Sequence, residues 1–133
     1  MKVKIFPSFL FSLLFLDLIL KFVFVRWGMV TINKGISFSL FSNSNLTFSL
    51  HLGALIVLTN GYFLFSSKAT WAVNKFYLFL IILAGFSNFF DRIFYGGVVD
   101  YINLYFFKNN LTDLVIFLGV CGLILNQYIK PSK

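Results

Sequence analysis

Apolar residues run in four long blocks along this chain, at about 5–25, 48–65, 73–94 and 111–129, and polar residues gather between them. A helix that crosses the hydrocarbon core of a bilayer needs ~20 mostly apolar residues, so each block predicts one transmembrane helix. The period changes after the first block. Thr31, Asn33, Gly35, Ser37 and Ser39 alternate with Ile32, Lys34, Ile36, Phe38 and Leu40. Apart from Lys34, that spacing gives one polar and one apolar face, as in a half-buried strand. Gly96-Gly97 breaks the third block, and Val98-Val99-Asp100-Tyr101-Ile102 then reads as extended or interfacial. The predicted fold is an all-α membrane protein. It has four transmembrane helices and a small outer-face β element between helices 1 and 2, in a single integral membrane domain over residues 1–133. Lys2 and Lys4 ahead of the first block imitate a secretory signal. The block is too long for a signal core and no small-x-small cleavage site follows it, so it is read as a retained helix.

Composition narrows the picture. Apolar residues make up 59% of the chain and charged residues only 11%, where a soluble domain carries roughly 25% charged residues. The net charge is +7, from 11 Lys and Arg against four acids. All four acids are aspartates: Asp17, Asp91, Asp100 and Asp113. With so little solubilising charge, each of them needs a specific reason to be present. The single His51 and single Cys121 cannot supply a metal-ligand cluster or an internal disulfide, so no metal and no cofactor is expected. Cys121 lies in an apolar run and reads as a small core hydrophobe.

The cations set the orientation. Lys2, Lys4, Lys68, Lys75, Lys130 and Lys133 fall on one side of the predicted helices with no acid among them. Arg26, Lys34, Arg92 and Lys108 fall on the other, interspersed with Asp91 and Asp100. Short loops rich in Lys and Arg stay cytoplasmic. Both termini are therefore expected in the cytoplasm, with segments 31–47 and 95–110 facing outward.

A carboxylate within a membrane helix costs roughly 2.5–3.5 kcal/mol on insertion scales, so it tends to face the bundle interior and to serve a function. Asp17 and Lys21 are spaced i,i+4 with the acid first, the favourable order for an ion pair. They form either a self-neutralising structural pair or the support of a site, and in both cases should face other helices. Asn88, Asp91 and Arg92 share one stripe at the outer end of the third helix. Asp91–Arg92 reads as an interfacial anchor, whereas an amide such as Asn88 in hydrocarbon needs partners. Asp113 opens the fourth block in Asn110-Leu111-Thr112-Asp113. One reading is a helix cap, with Asn110 at the N-cap and Asp113 in the first turn facing the helix dipole. The other starts from topology: twelve residues separate Asp100 from Asp113, and both belong at the same membrane face. Two carboxylates in contact cannot both ionise easily and share a proton. Such a pair can take a proton from an attacking water and protonate a leaving amine.

Competing chemistries fit less well. Gly35-Ile36-Ser37-Phe38-Ser39 lacks the last glycine of a nucleophile elbow, which leaves a Ser–His dyad with His51 weakly supported. His51 reads instead as a polar residue at the start of the second helix. A proton-coupled carrier would need acids along a path through the bilayer, and these crowd towards the outer face. Asn45-Leu46-Thr47 and Asn110-Leu111-Thr112 match the glycosylation acceptor pattern, a weak signal.

Four blocks, in order, resemble the lipoprotein signal peptidase family (signal peptidase II). Asp17-x-x-x-Lys21 is similar to its first-helix motif. Asn33-Lys34-Gly35-Ile36-Ser37-Phe38-Ser39 is similar to its Asn-x-Gly-x-x-Phe-Ser block. Asn88-Phe89-Phe90-Asp91-Arg92 with Gly96-Gly97-Val98-Val99-Asp100-Tyr101-Ile102 resembles its Asn-x-x-Asp-Arg and Gly-x-Val-Val-Asp-Phe-Ile block. Asn110-Leu111-Thr112-Asp113 resembles its Asn-x-Ala-Asp motif. The resemblance implies a four-helix aspartic endopeptidase, a multi-pass protein of the bacterial cytoplasmic (inner) membrane with its active site at the outer face. It implies removal of the signal peptide from prolipoproteins carrying a diacylglyceryl-cysteine. Asp100 and Asp113 would be the catalytic pair, with Asn33, Asn88, Arg92 and Asn110 around substrate and pair. Asp17 and Lys21 would support the site, and 31–41 would form an outer β cradle over the substrate. The partners implied are the prolipoprotein and membrane lipids, with no nucleic acid, and the protein is expected to be a monomer. The chain departs from the family pattern in a shortened stretch between Asp100 and Asp113, in Ser87 for a usual Gly, in Thr112 for a usual Ala and in Asn109 for a usual Phe. An inactive homologue that binds lipopeptides without cleaving them is the alternative these departures allow.

Overall fold

The computed structural model describes residues 5–35, 44–65 and 72–129. Within them the chain forms α1 (Ile5–Arg26), β1 (Thr31–Asn33), α2 (Ser44–Phe65), α3 (Ala72–Tyr95), β2 (Val98–Asp100), β3 (Ile102–Leu104), β4 (Phe107–Asn109) and α4 (Leu111–Ile129). The helices follow the apolar blocks, whose one proline, Pro7, falls in the first turn of α1, where its missing N–H costs no helix bond. Helix α2 starts earlier than its block, at Ser44 rather than Phe48. Its first turn, Ser44-Asn45-Leu46-Thr47, is mostly polar, so hydropathy passes over residues that suit a helix N-terminus.

The β structure differs from the single element expected. Strand β1 covers Thr31–Asn33 only; the remainder of the alternating stretch, Ile36 to Leu40, lies outside the described residues, as do Lys2, Lys4, Lys68, Lys130 and Lys133. The partner of β1 comes from beyond α3. β1 and β2 are antiparallel, with Thr31 opposite Asp100, Ile32 opposite Val99 and Asn33 opposite Val98. The double glycine makes this pairing possible. Gly96 turns the chain at φ +72°, a conformation that strains side-chain-bearing residues. A Cβ on Gly97 would lie 2.7 Å from the Asn33 carbonyl oxygen, so only glycine lets β1 pass this close. A second antiparallel pair, β3–β4, follows as a tight hairpin that alternation does not reveal.

Helix α3 is the centre of the molecule. It packs most extensively on α4, then on α2, while α1 lies against α4 and α3. Leu10, Leu14, Tyr77, Leu80, Ala84 and Val115 form the buried core. Gly119 and Gly122 on α4 receive Ile81 and Tyr77 of α3; a Cβ at Gly122 would lie 2.5 Å from the Tyr77 ring. Small residues at such crossings let helix backbones approach in lipid, where packing rather than water exclusion drives association. The outer surface is greasy, with Phe15, Phe22, Val57, Phe63 and Phe117 all strongly exposed. Helices α2 and α3 are long and apolar enough to cross a membrane.

Candidate active site

The polar residues that the apolar blocks could not explain converge at one end of the bundle. Lys21 sits at their centre and is buried. Its ammonium lies 3.0 Å from Asp17 Oδ2 and 2.7 Å from Asp91 Oδ2. It also donates to Ser87 Oγ at 3.3 Å, Asn88 Oδ1 at 3.1 Å and Thr112 Oγ1 at 3.4 Å. Asp17 is fully buried and fully engaged: its Oδ1 accepts from the Tyr101 hydroxyl at 2.7 Å and the Thr112 backbone N–H at 3.2 Å, and its Oδ2 accepts from the Thr112 hydroxyl. A buried ion pair is tolerable only when its remaining donors and acceptors are satisfied, and here they are. Burial and the bond to Asp17 hold the Tyr101 phenol protonated, far above its ordinary titration. Asp91 completes the cluster by accepting from the Val99 N–H at 3.2 Å, which ties the end of α3 to strand β2. The expected Asp91–Arg92 anchor is therefore corrected. Adjacent helix residues point apart, and Asp91 turns inward to Lys21 while Arg92 faces the other side.

Strand β2 delivers Asp100 to this end of the bundle, 3% exposed. Its Oδ1 accepts from Asn110 Nδ2 at 3.0 Å, while its buried Oδ2 has no hydrogen-bond partner among the described residues. Burial pushes the Asp100 carboxyl above its usual range; the Asn33 and Asn110 amides and the Lys21 charge pull it back. Asn33 reaches this position through the β1–β2 register, which sets it opposite Val98.

Asn110 links Asp100 to Asp113. Its side-chain oxygen accepts the Asp113 backbone N–H at 2.9 Å, the N-cap bond of α4. In a capping box the residue in the Asp113 position reaches back to the cap's own N–H. Here that N–H faces Asn109 Oδ1 at 3.0 Å, and Asp113 Oδ1 instead accepts from Asn88 Nδ2 at 2.7 Å. The cap is present, but the Asp113 carboxylate takes no part in it. Asn88 Oδ1 in turn lies 3.5 Å from Asn110 Nδ2, so Asn88 and Asn110 form an amide bridge between the two aspartates.

On the far side of Asp113 a cleft of about 680 Å³ opens, lined by Asn33, His51, Asn88, Arg92, Lys108 and Asp113 at its polar end and by Leu114, Phe117 and Val120 along α4. Arg92 crosses it. Its Nη2 donates to the Gly35 carbonyl at 2.6 Å, its Nη1 to the Lys34 carbonyl at 3.4 Å and its Nε to His51 Nδ1 at 3.2 Å. Asp113 and Asp100 both lie within electrostatic range of the guanidinium. Lys108 closes the other edge, donating to Thr31 Oγ1 at 2.7 Å and so joining β4 to β1.

The structure thus gathers Asp17, Lys21, Asn33, Asn88, Arg92, Asp100, Asn110 and Asp113 in one place. Sequence reasoning missed Ser87, Tyr101, Thr112 and His51 as members. Ser87 and Thr112 carried a signal, since each puts a hydroxyl where the resembling family has a small residue without one. Tyr101 looked like one more aromatic, and His51 lies two turns inside α2 rather than at its start.

The chain is similar to known proteins over most of its length. The family model for signal peptidase (SPase) II matches residues 9–129. The lipoprotein signal peptidase of Wigglesworthia glossinidia brevipalpis is 32% identical, covering 96% of this chain and 76% of that protein. The lipoprotein signal peptidase of Helicobacter pylori strain Shi470 is 30% identical, covering 99% of this chain and 80% of that protein. A solved bacterial membrane enzyme shares the fold with a TM-score of 0.72 at 16% identity, over 98% of this chain and 95% of that one.

Proposed function

Because the chain belongs to the signal peptidase II family, we propose that it removes the signal peptide from diacylglyceryl-modified prolipoproteins, with Asp100 and Asp113 as its catalytic pair. The observation that carries this reading is Asn110. One side chain binds Asp100 Oδ1 with its amide and the Asp113 backbone with its oxygen, which ties both aspartates to one residue at the same end of the bundle, with Asp113 lining the cleft. The pair carries one proton. The ionised carboxylate takes a proton from water as the water attacks the scissile carbonyl, and the protonated one polarises that carbonyl. Collapse of the tetrahedral intermediate then needs a proton on the leaving amine, which the pair returns. Asp100 Oδ2, free of other donors, suits the shared proton or the water.

The remaining parts follow from the same geometry. All four helices span the bilayer; the charges of α1 are turned inward against Asp91 and Thr112, which leaves Phe15 and Phe22 to face lipid. The aspartates then sit at the outer face, with both termini cytoplasmic, in the bacterial inner membrane. Lipid acyl chains of the substrate lie along the exposed Leu114–Phe117–Val120 face of α4, so the substrate enters sideways from the membrane. Arg92, Asn33 and Asn88 orient the peptide, and Asp17 with Lys21 holds α1 to the outer ends of α3 and α4.

The test is processing of a prolipoprotein in bacterial cells depleted of their own signal peptidase II. The wild-type chain should produce the mature-size band on a gel, and Asp100→Asn or Asp113→Asn should leave the precursor. Normal processing by either variant contradicts the pair. A wild type that retains lipopeptide but never cleaves it would identify the non-cleaving binder instead.

A further inference from the structure

The Arg92 guanidinium is held by backbone carbonyls on one side and by a histidine on the other. We propose that His51 is a positioning residue for this peptidase: as a neutral imidazole it fixes Arg92, and protonation of the ring releases Arg92 and slows turnover. The inference rests on the peptidase reading above.

The geometry selects one form of the ring. The Gly85 carbonyl, 3.0 Å from Nε2, can only accept, so Nε2 carries the hydrogen. Arg92 Nε, 3.2 Å from Nδ1, can only donate, so Nδ1 is bare. A doubly protonated ring would set N–H against N–H and cation against cation at this contact. Helix packing makes the site: a Cβ on Gly85 would lie 2.8 Å from Leu55 Cδ2, so glycine lets α2 come close enough for His51 to reach the α3 backbone. Phe89 meets the ring edge-on with centroids 5.7 Å apart, which limits its rotation.

What Arg92 holds explains why this matters. Its Nη2 clamps the Gly35 carbonyl, and Thr47, one turn before His51 on α2, holds the Lys34 carbonyl at 3.1 Å. Gly35 N–H donates to Asn33 Oδ1 at 3.0 Å, and the Asn33 amide favours the ionised form of Asp100. His51 therefore acts on the reacting carboxylate through Arg92, the 33–35 turn and Asn33. The charged groups around the ring are Arg92 from α3 and, lining the same cleft, Asp113 from α4 and Lys108 from β4; Lys34 contributes its carbonyl.

The experiment compares wild type, His51→Phe and His51→Asn in proteoliposomes with a synthetic diacylglyceryl lipopeptide. Phe keeps the ring volume but gives Arg92 no acceptor, whereas Asn places a non-titrating acceptor near Nδ1. kcat and KM are measured from about pH 4.5 to about pH 8.5, reaching below the range in which histidine ordinarily titrates because the cationic Arg92 faces the ring. Wild type should lose kcat with an added acidic limb that His51→Asn lacks. His51→Phe should lower kcat about tenfold at the basic end, the loss of one hydrogen bond to a charged group, with KM changing less. His51→Asn should recover part of that loss. Superimposable pH profiles for all three proteins would overturn the proposal, as would an acidic limb retained by His51→Asn. The protein has a single histidine, so 15N NMR of labelled protein reads its tautomer without activity. An Nε2–H ring, disturbed by Arg92→Lys, is expected; an Nδ1–H ring overturns the proposal even if wild type cleaves. Absence of cleavage by wild type at every pH, with the expected tautomer intact, would refute the peptidase reading and leave the Arg92–His51 contact standing.

Discussion

Lys21 and Arg92 both lie near Asp100 and Asp113, yet their surroundings are opposite. Lys21 is 5% exposed and touches Asp17, Ser87, Asn88, Asp91 and Thr112, with two carboxylates facing it directly. Arg92 is half-buried at the edge of a cleft, contacts no carboxylate directly among the described residues, and donates to two carbonyls and a histidine. The closed cluster is a structural device: it neutralises charges that would otherwise be stranded among apolar helices. The open one leaves cationic potential beside Asp100 and Asp113 at the edge of a cleft. A family motif that lists both residues as polar does not reveal this division; the partners do.

The largest effect that would break the comparison falls on the closed side. Lys21→Met leaves Asp17 and Asp91 buried without their cation, and losing one partner of a buried pair costs about 3–5 kcal/mol. A large drop in melting temperature in detergent micelles is expected, and an unchanged melt would contradict the structural role. Next comes Arg92→Lys. Lysine cannot present a planar fork to His51 and two carbonyls together. The variant should lose roughly 2 kcal/mol of transition-state stabilisation, about thirtyfold in kcat/KM, while melting far closer to wild type than Lys21→Met. Equal thermal damage in both variants would erase the distinction. Thr112→Ala removes the hydroxyl shared by Lys21 and Asp17 and should cost about 1 kcal/mol of stability, read from denaturant or thermal melts.

The smallest effect is one of sign. Burial raises the Asp100 carboxyl, so the folded state favours its protonated form. That contribution is complete below the unfolded value of about 3.9 and is lost as pH rises through the folded value. Asn cannot titrate and keeps an acceptor for Asn110. Asp100→Asn should therefore gain stability relative to wild type as pH rises from about 4 to about 8, measured by melts across that range. A falling difference would contradict the burial argument.

Much of this fold is legible in the sequence. Four apolar blocks place four helices, since lipid-length hydrophobic runs have few alternatives. Asp17–Lys21 was readable from its i,i+4 spacing, and Asn110 from cap chemistry. Partners distant in sequence were not readable. Asp91 read with Arg92 as an interfacial anchor, whereas it turns inward to a cation from α1, which no periodicity can show. The β3–β4 hairpin was hidden because its tip, Tyr105-Phe106, lacks turn residues, and Tyr105 takes a positive φ of 52° that aromatic residues rarely adopt. The β1–β2 pairing was half visible: Gly96-Gly97 announced a break, but only the close approach to Asn33 shows what the break admits.

The proposed chemistry requires Asp100 and Asp113 to work as one unit. The direct measurement is single-turnover cleavage of a diacylglyceryl lipopeptide by purified Asp100→Asn, Asp113→Asn and the double variant, each checked by melting. Residues that act together in one step are strongly non-additive, and each proton-transfer role contributes roughly 10²–10⁴-fold. The prediction is that each single variant loses a factor in that range and the double variant is no slower than the worse of the two. Losses that multiply in the double variant, or a single variant that cleaves at the wild-type rate, would contradict it.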